Sequence, residues 1–144
     1  MNFLVDTNIC SAYLKGDQRV WNKFMQYSGG LAISAVTAGE LWTWVARAGV
    51  SQRSKDSVAE FLGLIEVVDV DLAVAIRFGE LRGQMFDAGT PCPDMDTLIA
   101  ATAISGNLTL VTHNVSDFEP IPDLRIEDWS VSYTHLTLPT ILLV

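Results

Sequence analysis

The sequence lacks the features that mark secreted and membrane proteins. Its two cysteines, Cys10 and Cys92, form no C-x-x-C pair and provide no disulfide framework. The first apolar run ends at Asp6 and no basic segment precedes it, so we expect no signal peptide. No run approaches the roughly 18 apolar residues of a membrane span. We therefore expect a soluble, cytoplasmic protein without a membrane association.

Linkers, repeats and low-complexity blocks are also missing. Only 18% of the residues are charged, whereas 49% are hydrophobic. This composition is typical of a packed globular protein and not of a disordered one. A chain of 144 residues buries about two-thirds of its unfolded surface in a single core, so we expect one domain.

Positive charge is scarce as well. Nine Lys and Arg residues stand against 17 Asp and Glu residues, which gives a net charge of −8. A protein that binds nucleic acid through bulk charge would be basic, but bound divalent cations can reverse the local sign of an acidic site. Lys15, Arg19 and Lys23 recur at intervals of four residues on one helical face, which we expect to be an ordinary solvated face; part of a basic patch is the alternative.

Near the start of the chain, a short apolar run without alternation, Phe3–Val5, ends at Asp6-Thr7-Asn8. Such a run is typical of a strand that is buried on both faces of a parallel sheet. The carboxyl ends of these strands face the crevice in which open α/β sheets bind their ligands. Asp6 is therefore either a turn or cap residue or the first member of a functional site.

Further apolar segments alternate with helical patterns. Strands are predicted at 31–34, 65–70, 108–112 and 124–126, and helices at 9–14, 19–27, 37–48, 57–64, 72–88 and 96–104. Strands that alternate with helices indicate a mostly parallel sheet covered on both faces. The predicted fold class is α/β, a three-layer α/β/α sandwich with a central sheet of four to five strands over residues 1–130.

The longest predicted helix has its own boundary signals. Asp71 is expected to be its N-cap, and Gly89 follows its end. The expected packed side consists of Leu72, Ala75, Ile76, Gly79 and Met85.

Residues 131–144 depart from the alternating pattern. The segment has no charged side chain and no helical period. It resembles sequence added by a vector or by an altered reading frame, so we expect a non-native or disordered tail. A native extra strand or an interface segment is the alternative.

Glu40 lies near the start of the helix that follows the predicted strand at 31–34. This position places it close to the sheet edge that carries Asp6. However, Thr37 and Glu40 also match the S/T-x-x-E capping box, which would explain both residues without any function.

Two more acids begin the helix near residue 96, and their patterns differ. Asp94 occupies an N-cap position, where acids are favoured. Asp96 shares a helix face with Ala100 and Ala103, where a carboxylate is costly unless it is paired or holds a metal. We expect Asp96 to be functional and Asp94 to be a cap.

Oxygen-bearing side chains follow the predicted strand at 108–112. Asn114 and Asp117 both provide oxygen donors that can reach the crevice. His113 is more typical of a surface or hydrogen-bonding residue than of a ligand. Surroundings rich in oxygen suit Mg²⁺ or Mn²⁺ better than zinc.

Four segments form a pattern together: LVDTN at 4–8, ISAVTAGEL at 33–41, DTLIAATA at 96–103, and LVTHN at 110–114 followed by Asp117-Phe118. They resemble the signature blocks of PIN-domain ribonucleases, and most closely those of the VapC toxins of bacterial toxin-antitoxin pairs. Each block alone is a weak signal, but four in order over residues 1–129 are specific.

The resemblance implies a metal-dependent endoribonuclease in which Asp6, Glu40 and Asp96 bind Mg²⁺, with Mn²⁺ as the alternative. Many relatives have an acid where this chain has Asn114, and others have one three residues later, so Asp117 is assigned as the fourth acid. Supporting roles near the acids are implied for Thr7, Thr112 and Asn114.

The resemblance also implies partners and a substrate. These are a second copy of the chain in a homodimer, a VapB-like antitoxin with which a higher assembly forms, and structured RNA, with tRNA favoured. Two alternatives stay open. A catalytically inactive PIN-like module that binds RNA or an antitoxin would account for the neutral Asn114. A receiver-type phosphoacceptor domain usually needs a late lysine, and no lysine follows Lys55.

Overall fold

The computed structural model describes residues 1–131, so the tail expected at 131–144 lies almost wholly outside the described residues. A single parallel sheet of five strands forms the centre of the molecule, in the order β3-β2-β1-β4-β5. The strands are β1 (Phe3–Val5), β2 (Leu31–Ser34), β3 (Glu66–Val68), β4 (Thr109–Val111) and β5 (Ile126–Glu127). The prediction of a parallel sheet of four to five strands is confirmed.

Helices connect and cover these strands. Within residues 1–131 they are α1 (Thr7–Leu14), α2 (Gln18–Gln26), α3 (Ala35–Val45), α4 (Gln52–Leu64), α5 (Leu72–Ala88), α6 (Asp94–Ser105) and α7 (Val115–Phe118). The predicted boundaries of α5 are confirmed, since Asp71 accepts a hydrogen bond from the N–H of Val74 and Gly89 adopts a φ of +70°. None of these helices is long and apolar enough to cross a membrane.

Two apolar clusters, one on each face of the sheet, produce three layers. On β1, Phe3 and Val5 pack with residues of α1 to α4, whereas Leu4 packs with residues of α5 to α7. All three side chains of β1 are buried. Burial on both faces is the reason that the apolar run has no alternation. The predicted α/β/α sandwich is confirmed.

Trp129 completes one of these clusters and extends the core to the end of the described chain. Its side chain is 1% exposed. The ring centroid lies 5.0 Å from that of Phe3 and 5.5 Å from that of Tyr27. The indole N–H donates to Oε1 of Glu127 at 3.1 Å, so the polar atom of this buried ring is also satisfied.

The packed side of α5 differs from the predicted one. Leu72 is 75% exposed and Ile76 is 55% exposed, whereas Val74 and Leu81 are buried together with Met85. Of the predicted side, only Met85 lies in the core. Residues 72–76 are apolar without interruption, so periodicity alone did not distinguish the inner face of this helix from the outer one.

We expect Leu4→Ala to lower the free energy of unfolding by about 2–5 kcal/mol, because a fully buried side chain in the central strand would leave a cavity. Leu64, which is 81% exposed, provides the matched control, and Leu64→Ala should change stability by no more than about 0.5 kcal/mol. Urea denaturation followed by circular dichroism measures both. Equal losses in the two variants would contradict this packing.

Candidate functional site

Asp6 lies at the carboxyl end of β1 and is also the N-cap of α1. The N–H of Thr7 donates to its Oδ1 at 2.7 Å, and the hydroxyl of Thr112 donates to its Oδ2 at 2.9 Å. The residue is only 5% exposed. Burial raises the pKa of the Asp6 carboxyl, the two hydrogen bonds oppose this increase, and the charge of Glu40 adds to it. Asp6 is thus a helix cap and part of a polar network at once.

Glu40 reaches this network from α3. Its Oε1 accepts a hydrogen bond of 2.6 Å from the hydroxyl of Thr7. The capping box predicted for Thr37 and Glu40 is wrong, because the N-cap of α3 is Ser34, whose hydroxyl oxygen accepts from the N–H of Thr37 at 3.0 Å. β2 runs into α3 without an intervening loop, so Thr37 lies inside the helix. The Glu40 side chain therefore does not cap α3 and instead contacts Thr7 on α1.

Asp96 projects from the first turn of α6 and is partly buried. Burial is the largest cause that raises the pKa of its carboxyl to about 6, followed by the charges of Asp6, Asp117 and Glu40. These charges act on Asp96 only because the fold brings the four acids to one edge of the sheet. Within residues 1–131, none of the four forms an ion pair with a Lys, Arg or His side chain.

Asp94 is not the predicted N-cap of α6. Pro93 occupies that position, and Asp94 is the first residue of the helix. The carboxylate of Asp94 accepts a hydrogen bond of 3.1 Å from Nε of Arg82 on α5. Asp94 therefore joins the two helices and does not contribute to the charge that raises the pKa of Asp96.

Asp117 and Asn114 lie on the segment that follows β4. Asp117 is exposed in the short helix α7, and its charge raises the pKa of Asp96. Asn114 is the N-cap of α7, but its side chain makes no capping hydrogen bond. Its backbone N–H donates to Oγ1 of Thr112 at 3.1 Å. Asp117 is thus near the other acids through its side chain, whereas Asn114 joins the network through its backbone.

Asn8 belongs to this network although its sequence pattern did not single it out. Its Nδ2 donates to Oγ1 of Thr112 at 3.4 Å, and its Oδ1 accepts from the N–H of His113 at 3.1 Å. Because Oγ1 of Thr112 accepts from Asn8 and Asn114, its own proton is directed to Asp6. An amide two residues after a strand-end aspartate was the only sequence signal for this bridge.

The His113 ring makes hydrogen bonds as expected for such a loop residue. Its Nδ1 lies 3.0 Å from Oδ2 of Asp128 and 2.7 Å from Oγ of Ser130. These contacts connect the segment after β4 with the chain that follows β5.

The basic trio is not on one helix. Lys15 is the C-cap of α1, whereas Arg19 and Lys23 belong to α2. Arg19 pairs with the carboxylate of Asp17 at 3.5 Å, and Lys23 lies over the ring of Tyr27 at 5.7 Å. The single helical face predicted for these residues is therefore wrong, because the chain turns between the two helices.

The oxygen atoms at this edge of the sheet fit a hard divalent cation. The donors are carboxylate and hydroxyl oxygens, which Mg²⁺ and Mn²⁺ prefer. Burial is the largest cause of the raised pKa values of Asp6 and Asp96, the charges of the neighbouring acids add to it, and no cationic side chain of residues 1–131 pairs with either carboxyl. Over the same residues, no three Asp, Glu, His or Cys side chains are grouped closely enough to form a ready-made metal cage.

Comparison with known proteins agrees with this geometry. The PIN-domain family profile matches residues 3–123. The chain belongs to the PIN-domain family. It is 34% identical to the tRNA(fMet)-specific endonuclease VapC of Salmonella typhimurium, over 90% of this chain and 98% of that relative. Ribonuclease VapC2 of Rickettsia felis is 32% identical, over 90% and 98% of the two chains.

Solved structures give the same result. A chain in the crystal structure of DNA-bound VapBC from Salmonella typhimurium superposes with a TM-score of 0.85 at 34% identity, over 90% of this chain and 98% of that one. The resemblance to VapC toxins is confirmed, and membership in the PIN-domain family excludes the receiver-type alternative.

The raised pKa of Asp96 predicts a pH dependence of stability. The folded protein favours the neutral form of the Asp96 carboxyl. The stability that this preference contributes is fully present below 3.8, the pKa of the carboxyl in the unfolded chain, and it is lost as the pH rises through about 6. In metal-free buffer, Asp96→Asn should therefore gain stability relative to the wild type between about pH 4 and pH 7. Because the side chain is partly exposed, we expect a gain of about 1 kcal/mol after solvent screening.

Urea denaturation at a series of pH values in the presence of EDTA measures this gain. Asp56→Asn is the matched control, since Asp56 is an exposed acid on α4. A difference between Asp96→Asn and the wild type that stays constant over the whole pH range would contradict the electrostatic explanation.

Proposed function

We propose that the protein is a metal-dependent endoribonuclease that hydrolyses phosphodiester bonds in structured RNA, with residues 1–130 as the nuclease domain. The observation that carries this proposal is that Thr7 hydrogen-bonds both Asp6 and Glu40, while Asp96 lies near enough for the charges of Asp6, Asp117 and Glu40 to add to the effect of burial on its pKa. Acids from separate segments of a PIN-domain fold thus act on one another at one sheet edge. The names of the relatives from Salmonella typhimurium and Rickettsia felis support RNA as the substrate.

We assign Asp6, Glu40, Asp96 and Asp117 as the residues that would hold Mg²⁺, or Mn²⁺ as the alternative ion. When bound, such an ion would lower the pKa of a water molecule and offset the negative charge on the phosphoryl oxygens. The carboxyl of Asp96 ionises as the pH rises through about 6, so the site gains the negative charge of this residue over that range. Cation affinity, and with it activity, should increase over the same range.

Threonine side chains orient the acids. Thr7 donates its N–H to Asp6 and its hydroxyl to Glu40, so a single residue aligns two carboxylates from different elements. Thr112 fixes the second oxygen of Asp6 and accepts the N–H of Asn114. The supporting roles proposed for Thr7 and Thr112 are therefore to restrict the rotation of the acids, and Asn114 helps through its backbone.

A catalytically inactive PIN-like module that binds RNA or an antitoxin is the second candidate. Two observations favour it. Asn114 is neutral, and no ready-made metal cage is found among residues 1–131. In an active enzyme without its cation, repulsion between the carboxylates would also keep them from forming a ready-made cage. A cleavage assay is therefore needed to distinguish the active enzyme from the inactive module.

The proposed partner is a VapB-like antitoxin. The crystal structure from Salmonella typhimurium contains a VapBC assembly. Arginine side chains of such a partner would be attracted to the acids at the sheet edge. We also propose that the protein forms a homodimer and a higher assembly with the antitoxin, and that it is cytoplasmic. Size-exclusion chromatography tests the homodimer, and co-purification tests the assembly with the antitoxin.

Asp6→Asn and Asp96→Asn should each reduce the cleavage of a tRNA(fMet) transcript in Mg²⁺ on the order of 100-fold or more, because each removes a ligand charge. Asp56→Asn makes the same change in charge at an exposed site on α4 and should cleave like the wild type. Denaturing gels and mapping of RNA 5′ ends provide the readout. RNA that stays intact with folded wild-type protein, in Mg²⁺ and in Mn²⁺, would support the inactive module instead.

The second test of the proposed metal site does not depend on activity. Mg²⁺ at about 100 times its Kd should stabilise the wild type by about 2.7 kcal/mol at pH 7, which corresponds to a rise of several degrees in Tm. The rise should be much smaller for Asp96→Asn. Differential scanning calorimetry with NaCl at matched ionic strength measures both; an equal rise in the two proteins would exclude binding at this site.

A further inference from the structure

Arg82 on α5 is held in a defined orientation beside the start of α6. Its Nε donates to Oδ1 of Asp94 at 3.1 Å. Its Cζ lies 5.2 Å from the ring centroid of Phe78 and 5.3 Å from that of Phe86. The two rings come from positions four residues before and four residues after Arg82, so they flank the cation along one side of the helix. Three contacts thus restrain the planar guanidinium.

Most of the donors of this guanidinium are still available. Within residues 1–131, Nη1 and Nη2 of Arg82 have no hydrogen-bond partner, and the side chain is 38% exposed. Arg125 differs, because its Nε, Nη1 and Nη2 all bind oxygen atoms of Thr109 and Asn107. Arg125 therefore stabilises the fold, whereas Nη1 and Nη2 of Arg82 are available in the planar arrangement that suits a phosphate.

Arg82 also contacts the helix turn that carries Asp96. Its partner Asp94 and the functional candidate Asp96 are two positions apart in the first turn of α6. Asp94 contacts α5, whereas Asp96 interacts with acids from the strand ends. Arg82 thus lies on the α5 side of the acids, outside the group itself. An RNA strand with its scissile phosphate among the acids would place a neighbouring phosphate within reach of this side of α6 only if it ran toward α5, which is the path that the test below examines.

The net charge of the protein and the exposed apolar surface beside Arg82 also favour an RNA contact at this position. A chain of net charge −8 needs a placed cation to hold a polyanion. On the same helix, Arg77 is paired with Glu80 at 3.8 Å. Phe86 is 66% exposed next to Arg82, and exposed aromatic rings stack with unpaired bases of single strands.

We propose that Arg82 and Phe86 bind RNA next to the scissile bond, with Arg82 contacting a phosphate and Phe86 stacking on a base. This proposal rests on the proposed ribonuclease function. Under this proposal, the guanidinium of Arg82 provides the acidic protein with a positively charged contact for the RNA.

The test measures RNA affinity separately from cleavage. The Asp96→Asn variant of the full chain serves as the parent, and fluorescence anisotropy gives its Kd for a tRNA(fMet) transcript at a series of KCl concentrations. We expect Arg82→Gln to weaken binding about 10-fold and to reduce the slope of log Kd against log[KCl] by about 0.7 to 1. Arg77→Gln removes the same charge from another side of α5 and should bind like the parent.

A further variant distinguishes RNA binding from a purely structural role. If Arg82 only braces α6, Asp94→Asn breaks the same brace and should weaken RNA binding as much as Arg82→Gln does. If Arg82 contacts a phosphate, Asp94→Asn removes a competing carboxylate, so its RNA affinity should equal or exceed that of the parent. Melting temperatures of all variants show that they are folded.

Three results would overturn the proposal. The first is an Arg82→Gln variant that binds RNA as tightly as the parent does. This result would overturn the proposal also if the variant no longer co-purified with the antitoxin. The second is an equal loss of affinity in Arg82→Gln and Asp94→Asn. The third is a parent that does not bind the transcript at all. If the wild type also leaves RNA intact, the proposed function falls with the third result, whereas the first two results remove only the role of Arg82.

Discussion

A buried carboxylate at the end of the central strand is the constraint on which the rest of the molecule depends. Asp6 is 5% exposed and must keep both oxygens hydrogen-bonded to remain charged there. Thr7 and Thr112 supply those bonds from α1 and from the end of β4. The same threonines also contact Glu40 and Asn114, so the hydrogen bonds of one buried carboxylate join three regions of the chain, at residues 6–7, 40 and 112–114.

Parallel topology explains why the acids meet. All strands of the sheet run in one direction, so the ends of β1, β2 and β4 lie at a single edge. Helices that begin at this edge place Glu40 and Asp96 beside Asp6 in space, although long stretches of chain separate them. Burial and the charges of the neighbouring acids then raise the pKa of Asp96, so keeping this carboxylate ionised lowers the stability of the fold.

The negative charge of the protein has two consequences for an RNA substrate. At the acids, a bound divalent cation would change repulsion into attraction, which reconciles a net charge of −8 with a polyanionic ligand. Away from the acids, the surface offers few cations, and several are engaged with neighbouring side chains. Under the proposed function, a restrained arginine such as Arg82 would therefore contribute more to RNA affinity than one arginine among many on a basic protein.

The sequence by itself determined the parallel sheet and its central strand and favoured a function for Asp96, because a strand buried on both faces and a carboxylate on an apolar helix face leave local patterns; for Asp6 it left a cap and a functional residue both open. The resemblance of four blocks to PIN-domain proteins added Glu40 and Asp117. Only the tertiary structure decided what those patterns left ambiguous. Glu40 contacts Thr7 instead of closing a capping box, Asp94 pairs with Arg82, and α5 buries Val74 rather than Ile76. The physical reason is the same in each case: several local arrangements have similar energies, and contacts between residues distant in sequence select one of them.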